Sequence, residues 1–178
     1  MKTLKKIAAM RCAVCALLAF CLCWGVGCSK NISEFESFEE TKARAEKGDD
    51  IAQVNLGYMY ANGEGVSQDL QEAAKWYRKA ADQGYAYAQV SLGLMYYNGE
   101  GVLENKGEAV KWYRKAAGQG FALAQQGLGD MYSNGEGVTE DDKAAAKWYR
   151  LAAFQGNAQA QNNFGLMYVR GQGVEQDF

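Results

Sequence analysis

The chain carries no histidine among its 178 residues. Imidazole is the commonest general base near neutral pH and the commonest metal ligand, so Ser-His-Asp and Cys-His arrangements are excluded at the outset. The five cysteines, Cys12, Cys15, Cys21, Cys23 and Cys28, all lie near the amino terminus, which leaves the body without a thiol nucleophile or a disulfide framework. No serine opens a Ser-x-x-Lys, the signature of serine β-lactamases. Glu64, Glu100 and Glu136 recur in a glycine-rich turn, with Gln172 at the fourth place; carboxylates so far apart cannot share a cation, and they are expected to be solvated. Glu140-Asp141-Asp142 lacks the spaced oxygens and glycine of a calcium loop and reads as helix capping. The Gly-x-Gly of each turn lacks the lysine and the strand-to-helix setting of a phosphate loop. The string KWYR, which could stack on bases or sugars, keeps register with an apolar stripe. That assigns Trp76, Trp112 and Trp148 to the core, and Lys75, Arg78 and their counterparts to a solvated edge. No catalytic residue, metal site or cofactor is expected.

Those residues sit in a chain that repeats every 36 positions. AQVNLGYMYANGEGV from Ala52 returns as AQVSLGLMYYNGEGV from Ala88, AQQGLGDMYSNGEGV from Ala124 and AQNNFGLMYVRGQGV from Ala160. A fixed period of this length marks stacked units that bury their apolar faces only against their neighbours. Ala52, Leu56, Met59 and Tyr60 recur at helical spacing, and Asn62-Gly63 closes that helix. A second helix begins at Asp69, with Glu72 three residues on as in a capping box. It carries Ala73, Trp76, Tyr77, Ala80 and Ala81, and Gly84 stops it. Asn105 with Glu108 repeats the pair, while Asp141 keeps only the cap. The predicted class is all-α, an α-solenoid of helix–turn–helix units: repeats at 52–87, 88–123 and 124–159, and a partial one at 160–178. Gly57, Gly93, Gly129 and Gly165 fall mid-helix, where glycine costs about 1 kcal/mol against alanine; close approach of a Trp or Tyr over the missing Cβ accounts for them.

Residues 1–28 read as an address. Lys2, Lys5, Lys6 and Arg11 precede an apolar run from about Cys12 to Val26 and the small residues before Cys28, the layout of a secretory signal. The run falls short of the roughly 20 residues a membrane-spanning helix needs, although an uncleaved anchor is the alternative. Gly25-Val26-Gly27-Cys28 resembles a bacterial lipobox, which would make Cys28 a lipidated first residue and a membrane anchor; cleavage with plain secretion is the other outcome. The lipobox has a larger aliphatic residue where this chain has Gly25. By the same resemblance Ser29 favours the outer membrane. Residues 29–51 read as a short tail and a capping helix, opened by Ser33-Glu34-Phe35-Glu36 and running to about Lys47. At the other end Asp177 falls on an N-cap position, so the array is either truncated or presents a bare end. Without the leader the chain has 15 cationic and 21 acidic residues, too acidic to grip a phosphate backbone, so nucleic acid is not expected as a partner.

The motif A-x3-L-G-x-M-Y-x-N-G-x-G-V followed by A-x-K-W-Y-R-x-A-A-x-Q-G resembles the Sel-1-like repeat, a relative of the tetratricopeptide repeat. The resemblance runs from Ala52 to Phe178. It implies a right-handed superhelix acting as an adaptor for protein partners, often exported. Cysteine-rich relatives linked to β-lactams carry a disulfide in each repeat, which this chain lacks, so that activity does not transfer.

Positions constant between units serve the stack, so specificity is expected where they differ on the first helix. Those are Asn55, Ser91, Gly127 and Asn163, and three residues on, Tyr58, Leu94, Asp130 and Leu166. Spacing of i and i+3 places each pair on one face. By the family resemblance that face lines the concave side, where it would suit a peptide segment; unconstrained surface is the other reading. Three classes of function follow: an envelope adaptor, a secreted or surface-exposed host-interaction factor, and, least expected, a protein that binds or hydrolyses a β-lactam or peptidoglycan.

Overall fold

Glycine punctuation and apolar spacing translate into eight helices and no strand among the residues described, Ser37 to Val174, in the computed structural model. The chain divides into two units, Met1–Phe35 and Glu36–Phe178, and all the described residues belong to the second. The helices are α1 (Phe38–Glu46), α2 (Asp50–Asn62), α3 (Leu70–Asp82), α4 (Ala86–Asn98), α5 (Lys106–Gly118), α6 (Ala122–Asn134), α7 (Asp142–Phe154) and α8 (Ala158–Arg170). Each packs chiefly on its sequence neighbours, as a solenoid requires. The first helices α2, α4, α6 and α8 end on a left-handed glycine, Gly63, Gly99, Gly135 and Gly171.

The α1 boundary departs from the sequence reading. Its N-cap is Ser37, whose hydroxyl accepts from Glu40 N while the Glu40 carboxylate accepts from Ser37 N at 3.0 Å. Ser33, Glu34 and Phe35 lie outside the described residues, as do the leader, Cys28, Ser29 and Asp177. Both serines have a glutamate three places on, so spacing alone does not choose between them. The second-helix caps differ in a finer way. Asp69 accepts from Gln71 N and Glu72 N, but its own N–H donates to Tyr60 O at 2.9 Å. Glu72 is thereby released from the return arm of a capping box and pairs with Lys75. Asn105 repeats this, donating to Tyr96 O while Glu108 pairs with Lys111.

Two devices join the units. The first is a buried glutamine. Gln53, Gln89 and Gln125 donate from Nε2 to the carbonyls of Ala45, Ala81 and Ala117 at 3.1–3.2 Å. Their own Oε1 atoms accept from Gln83, Gln119 and Gln155 at 2.8–2.9 Å, glutamines thirty residues further on. Each pair ties the last turn of one second helix to the next. Gln89→Met is expected to lower stability by about 2 kcal/mol, because two side-chain hydrogen bonds are lost together: the Ala81 carbonyl is left with its backbone donor Gly84 N, and Gln119 Nε2 loses an acceptor. Urea denaturation would read this as a lower midpoint with an unchanged slope.

The second device is the turn. Built on the backbone of Gly101, a Cβ would stand 2.1 Å from Leu70 O; at Gly137 it would meet Lys106 O at 2.4 Å, and at Gly173 Asp142 O at 2.2 Å. Leu70, Lys106 and Asp142 open α3, α5 and α7, so each turn presses its backbone on the start of the preceding unit's second helix. Gly65 faces Phe38 Cβ at 3.4 Å, which puts α1 in the place of a second helix, a looser copy of the same contact. Phe38 also meets Tyr60 edge-on at 5.5 Å.

Mid-helix glycines pack as close approach requires, with tyrosine as the covering ring. A Cβ on Gly57 would lie 2.8 Å from Tyr77, on Gly93 3.2 Å from Tyr113 and on Gly129 2.5 Å from Tyr149. Gly165 has nothing within 4 Å among the described residues, so close approach does not explain it here. Trp76 and Trp112 are buried and Trp148 half-buried. Lys79 and Lys115 lie over the Trp76 and Trp112 rings at 3.6 and 3.9 Å. The solvated-edge reading fails for Arg78. It donates to Tyr96 Oη and lies 5.6 Å from the Trp112 ring, joining two units. Arg114 donates likewise to Tyr132 Oη at 2.6 Å.

Candidate partner-binding face

The first helices bury one stripe and leave the opposite one open. In α2 the open stripe is Ile51, Asn55 and Tyr58; in α4, Tyr87, Ser91 and Leu94; in α6, Leu123, Gly127 and Asp130; in α8, Gln159, Asn163 and Leu166. Spacing of i, i+4 and i+7 aligns each trio on one face. Ile51, Tyr87 and Leu123 escape a reading of the repeat phased at Ala52, which places them at the end of the preceding unit. Three large apolar residues in register, just ahead of the Ala-Gln pair, were the available signal. Ile51 is 51% exposed, Leu94 46%, Leu123 50% and Leu166 42%.

Of the positions picked from sequence, the fold brings Leu94, Gly127 and Asp130 into one cleft of about 280 Å³ between α4 and α6, with Tyr113 of α5 in its lining. Asn163 reaches its edge by donating to Asp130 Oδ1 at 3.1 Å. Asn55, Tyr58, Ser91 and Leu166 are not part of it. Ser91 Oγ donates back to Tyr87 O at 3.0 Å.

Asp130 is the one acidic side chain lining the cleft. Tyr149 Oη donates to its Oδ1 at 2.7 Å, and Gln126 Nε2 donates to Oδ2. Burial pushes its pKa above the ordinary aspartate value of 3.8, and these donors only partly offset that. Burial also raises the pKa of Tyr149, with the Asp130 contact adding to it, and pushes Tyr113 up to about 12.

Glu136 corrects the reading of the turn carboxylates. It accepts from Lys106 Nζ and from Tyr97 Oη, both at 2.6 Å. Those contacts, Lys106 first, hold its pKa below 4.5. Glu64 and Glu100 remain exposed.

The two carboxylates titrate with opposite consequences. A depressed folded pKa gives stability present above the unfolded value and lost as pH falls through the folded value; a raised one gives stability present at low pH and lost as pH rises. Glu136→Gln is therefore expected to destabilise at pH 7, with the difference shrinking below pH 4.5. Asp130→Asn is expected to stabilise at pH 7, with its gain vanishing below pH 3.8. Melting temperatures of both variants from pH 3 to 8 check the signs.

Among the described residues no group of three or more His, Cys, Asp or Glu is placed to hold a metal, and no helix is long and apolar enough to cross a membrane.

The Sel1 repeat family matches residues 13–34, 50–85, 86–121, 122–157 and 158–178, the first stretch overlapping the segment read as a leader. The chain is 46% identical to c5321, described as a protective antigen present in uropathogenic Escherichia coli strains displaying an SLR fold. That match covers 83% of this chain and 31% of the other, with a TM-score of 0.77. A Sel1 repeat protein from Oxalobacter formigenes is 44% identical over 74% of this chain and 52% of its own, with a TM-score of 0.71. Secretory immunoglobulin A-binding protein EsiB of Escherichia coli O6:H1 is 46% identical over 44 residues, 25% of this chain and 9% of that protein. The chain thus spans under a tenth of the curated relatives it matches. Repeat after repeat carries the family pattern on helix pairs that stack as in its solved members, and the chain belongs to the Sel1 repeat family of α-solenoid, protein-interaction scaffolds.

Proposed function

We propose that this protein is a non-catalytic adaptor at the bacterial cell envelope, anchored by lipid on Cys28 and holding a protein or peptide segment on the concave face built by its first helices. One observation carries the binding part: Ile51, Leu94, Leu123 and Leu166 stand about half exposed at recurring positions of successive first helices, whereas the exposed Leu103, Leu151, Phe154, Tyr168 and Val169 follow no such register. Apolar side chains recurring on one face offer a partner surface to bury. A variant changed at Asn55, Tyr58, Leu94 and Asp130 that keeps its melting temperature tests it. In-cell crosslinking should capture a protein with the native form, and the purified partner should bind the variant at least tenfold more weakly. Equal binding to both forms overturns the face. Mass spectrometry of the mature amino terminus tests the anchor, which requires a diacylglyceryl mass on Cys28 that Cys28→Ser abolishes.

The second reading is a secreted or surface-exposed factor that engages host proteins. EsiB is named for binding secretory immunoglobulin A and c5321 is described as a protective antigen; both fit export. Cleavage without lipidation, with the protein in the medium, favours this reading.

A further inference from the structure

The cleft between α4 and α6 is chemically unlike the same place in the other units. Where unit 3 has Asp130, the others have Tyr58, Leu94 and Leu166; where it has Gly127, they have Asn55, Ser91 and Asn163. The missing side chain uncovers the cleft floor: a Cβ on Gly127 would sit 3.5 Å from the Tyr113 ring, at ordinary contact distance. Leu94 and Leu123, each about half exposed, line the same cleft. Its volume of about 280 Å³ lies just below the ~300–1,000 Å³ of small-molecule sites, and suits side chains of a peptide better than a cofactor.

A carboxylate has about four acceptor positions. Asp130 has three filled, by Tyr149, Asn163 and Gln126, all neutral donors. No Lys or Arg among the described residues pairs with it. The neighbouring carboxylate Glu136 adds repulsion, and its own cation, Lys106, is already engaged. A partly buried negative charge with one acceptor position left and no counter-ion is complementary to a cationic donor.

We propose that this cleft takes a peptide segment in which a Lys or Arg stands beside an apolar residue, the cation on Asp130 and the apolar side chain between Leu94 and Leu123. This rests on the adaptor reading and names the chemistry of its partner. Pairing the cation with a half-buried carboxylate in a mostly apolar cleft makes the contact selective, because a neutral side chain there leaves Asp130 desolvated and uncompensated.

The test is selection of random heptapeptides displayed on phage against the native protein, Asp130→Asn and Gly127→Asn. Asparagine stands at the Gly127 register in two other units, so that variant fills the cleft on a compatible helix; melting temperatures verify that both variants fold. The native protein should enrich Lys or Arg next to Leu, Ile, Met or Phe. A synthetic peptide of the enriched sequence should lose at least tenfold in affinity on Asp130→Asn and on Gly127→Asn, and at least tenfold when its cation is replaced by Gln. Asp130→Asn should lose binding while melting no lower than the native protein, which a merely structural role would not produce. Apolar enrichment without a basic preference overturns the cation site and leaves the adaptor face standing. Basic enrichment unaffected by Gly127→Asn overturns the cleft. Recovery of no peptide overturns both.

Discussion

Gly101→Ala is expected to lose about 4 kcal/mol or more, and to leave the units on either side of the turn uncoupled. Two independent penalties combine. The residue holds φ at +69°, where an L side chain costs roughly 1 kcal/mol or more. The added carbon would also stand 2.1 Å from Leu70 O and 2.4 Å from its carbonyl carbon, and main chain at a helix start cannot swing aside as a flexible side chain does. Relief requires moving the turn off α3, which opens the interface the turn seals. Gly65→Ala is the matched control: the same left-handed backbone, but 3.3 Å to Met59 Cε and 3.4 Å to Phe38 Cβ. It should lose the conformational part and little more. Urea denaturation followed by circular dichroism measures both, and equal losses would show that the backbone contact is not what holds the units together.

Gly129→Ala and Gly165→Ala should move stability in opposite directions, though both occupy the same register of a first helix. At Gly129 the new methyl would lie 2.5 Å from two ring carbons of Tyr149. That ring is pinned by its own hydrogen bond to Asp130, so it must shift and strain a partly buried contact. Overpacking of this kind costs typically 1–3 kcal/mol, and the coupled loss of the Tyr149–Asp130 bond puts the expected value at about 3 kcal/mol. At Gly165 nothing among the described residues lies within 4 Å, so only helix propensity acts and alanine should gain about 1 kcal/mol. Thermal melts of the two variants side by side separate packing from propensity. A loss at both positions would mean that Gly165 meets a neighbour in solution.

The pairing of helices was legible because glycine and the apolar stripe act locally: Gly63 and Gly99 close helices, and Ala73 to Ala81 mark a buried face within one turn or two. Contacts between units were not. A perfect repeat says that Gln53, Gln89 and Gln125 do the same thing, but not whether their partners lie in the same unit or the next. Buried glutamine also looks like surface composition until its partners are seen. The second turn glycine is legible as a turn former, while its close packing against the preceding unit depends on a residue some thirty positions earlier. The binding face was half legible. Asn55, Leu94 and Asp130 stood out by varying between copies, whereas Ile51, Tyr87 and Leu123 vary too and were hidden by the phase of the repeat. Their juxtaposition with Gly127 depends on how one unit stacks on another, which the period alone does not fix.

In-cell photo-crosslinking from single positions shows whether the first-helix face receives a protein partner. A crosslinking residue at Leu123, in the cleft wall, is compared with one at Lys111, exposed on a second helix. A discrete adduct is expected from position 123 and none from 111. The same adduct from 111, or none from 123, would contradict that reading.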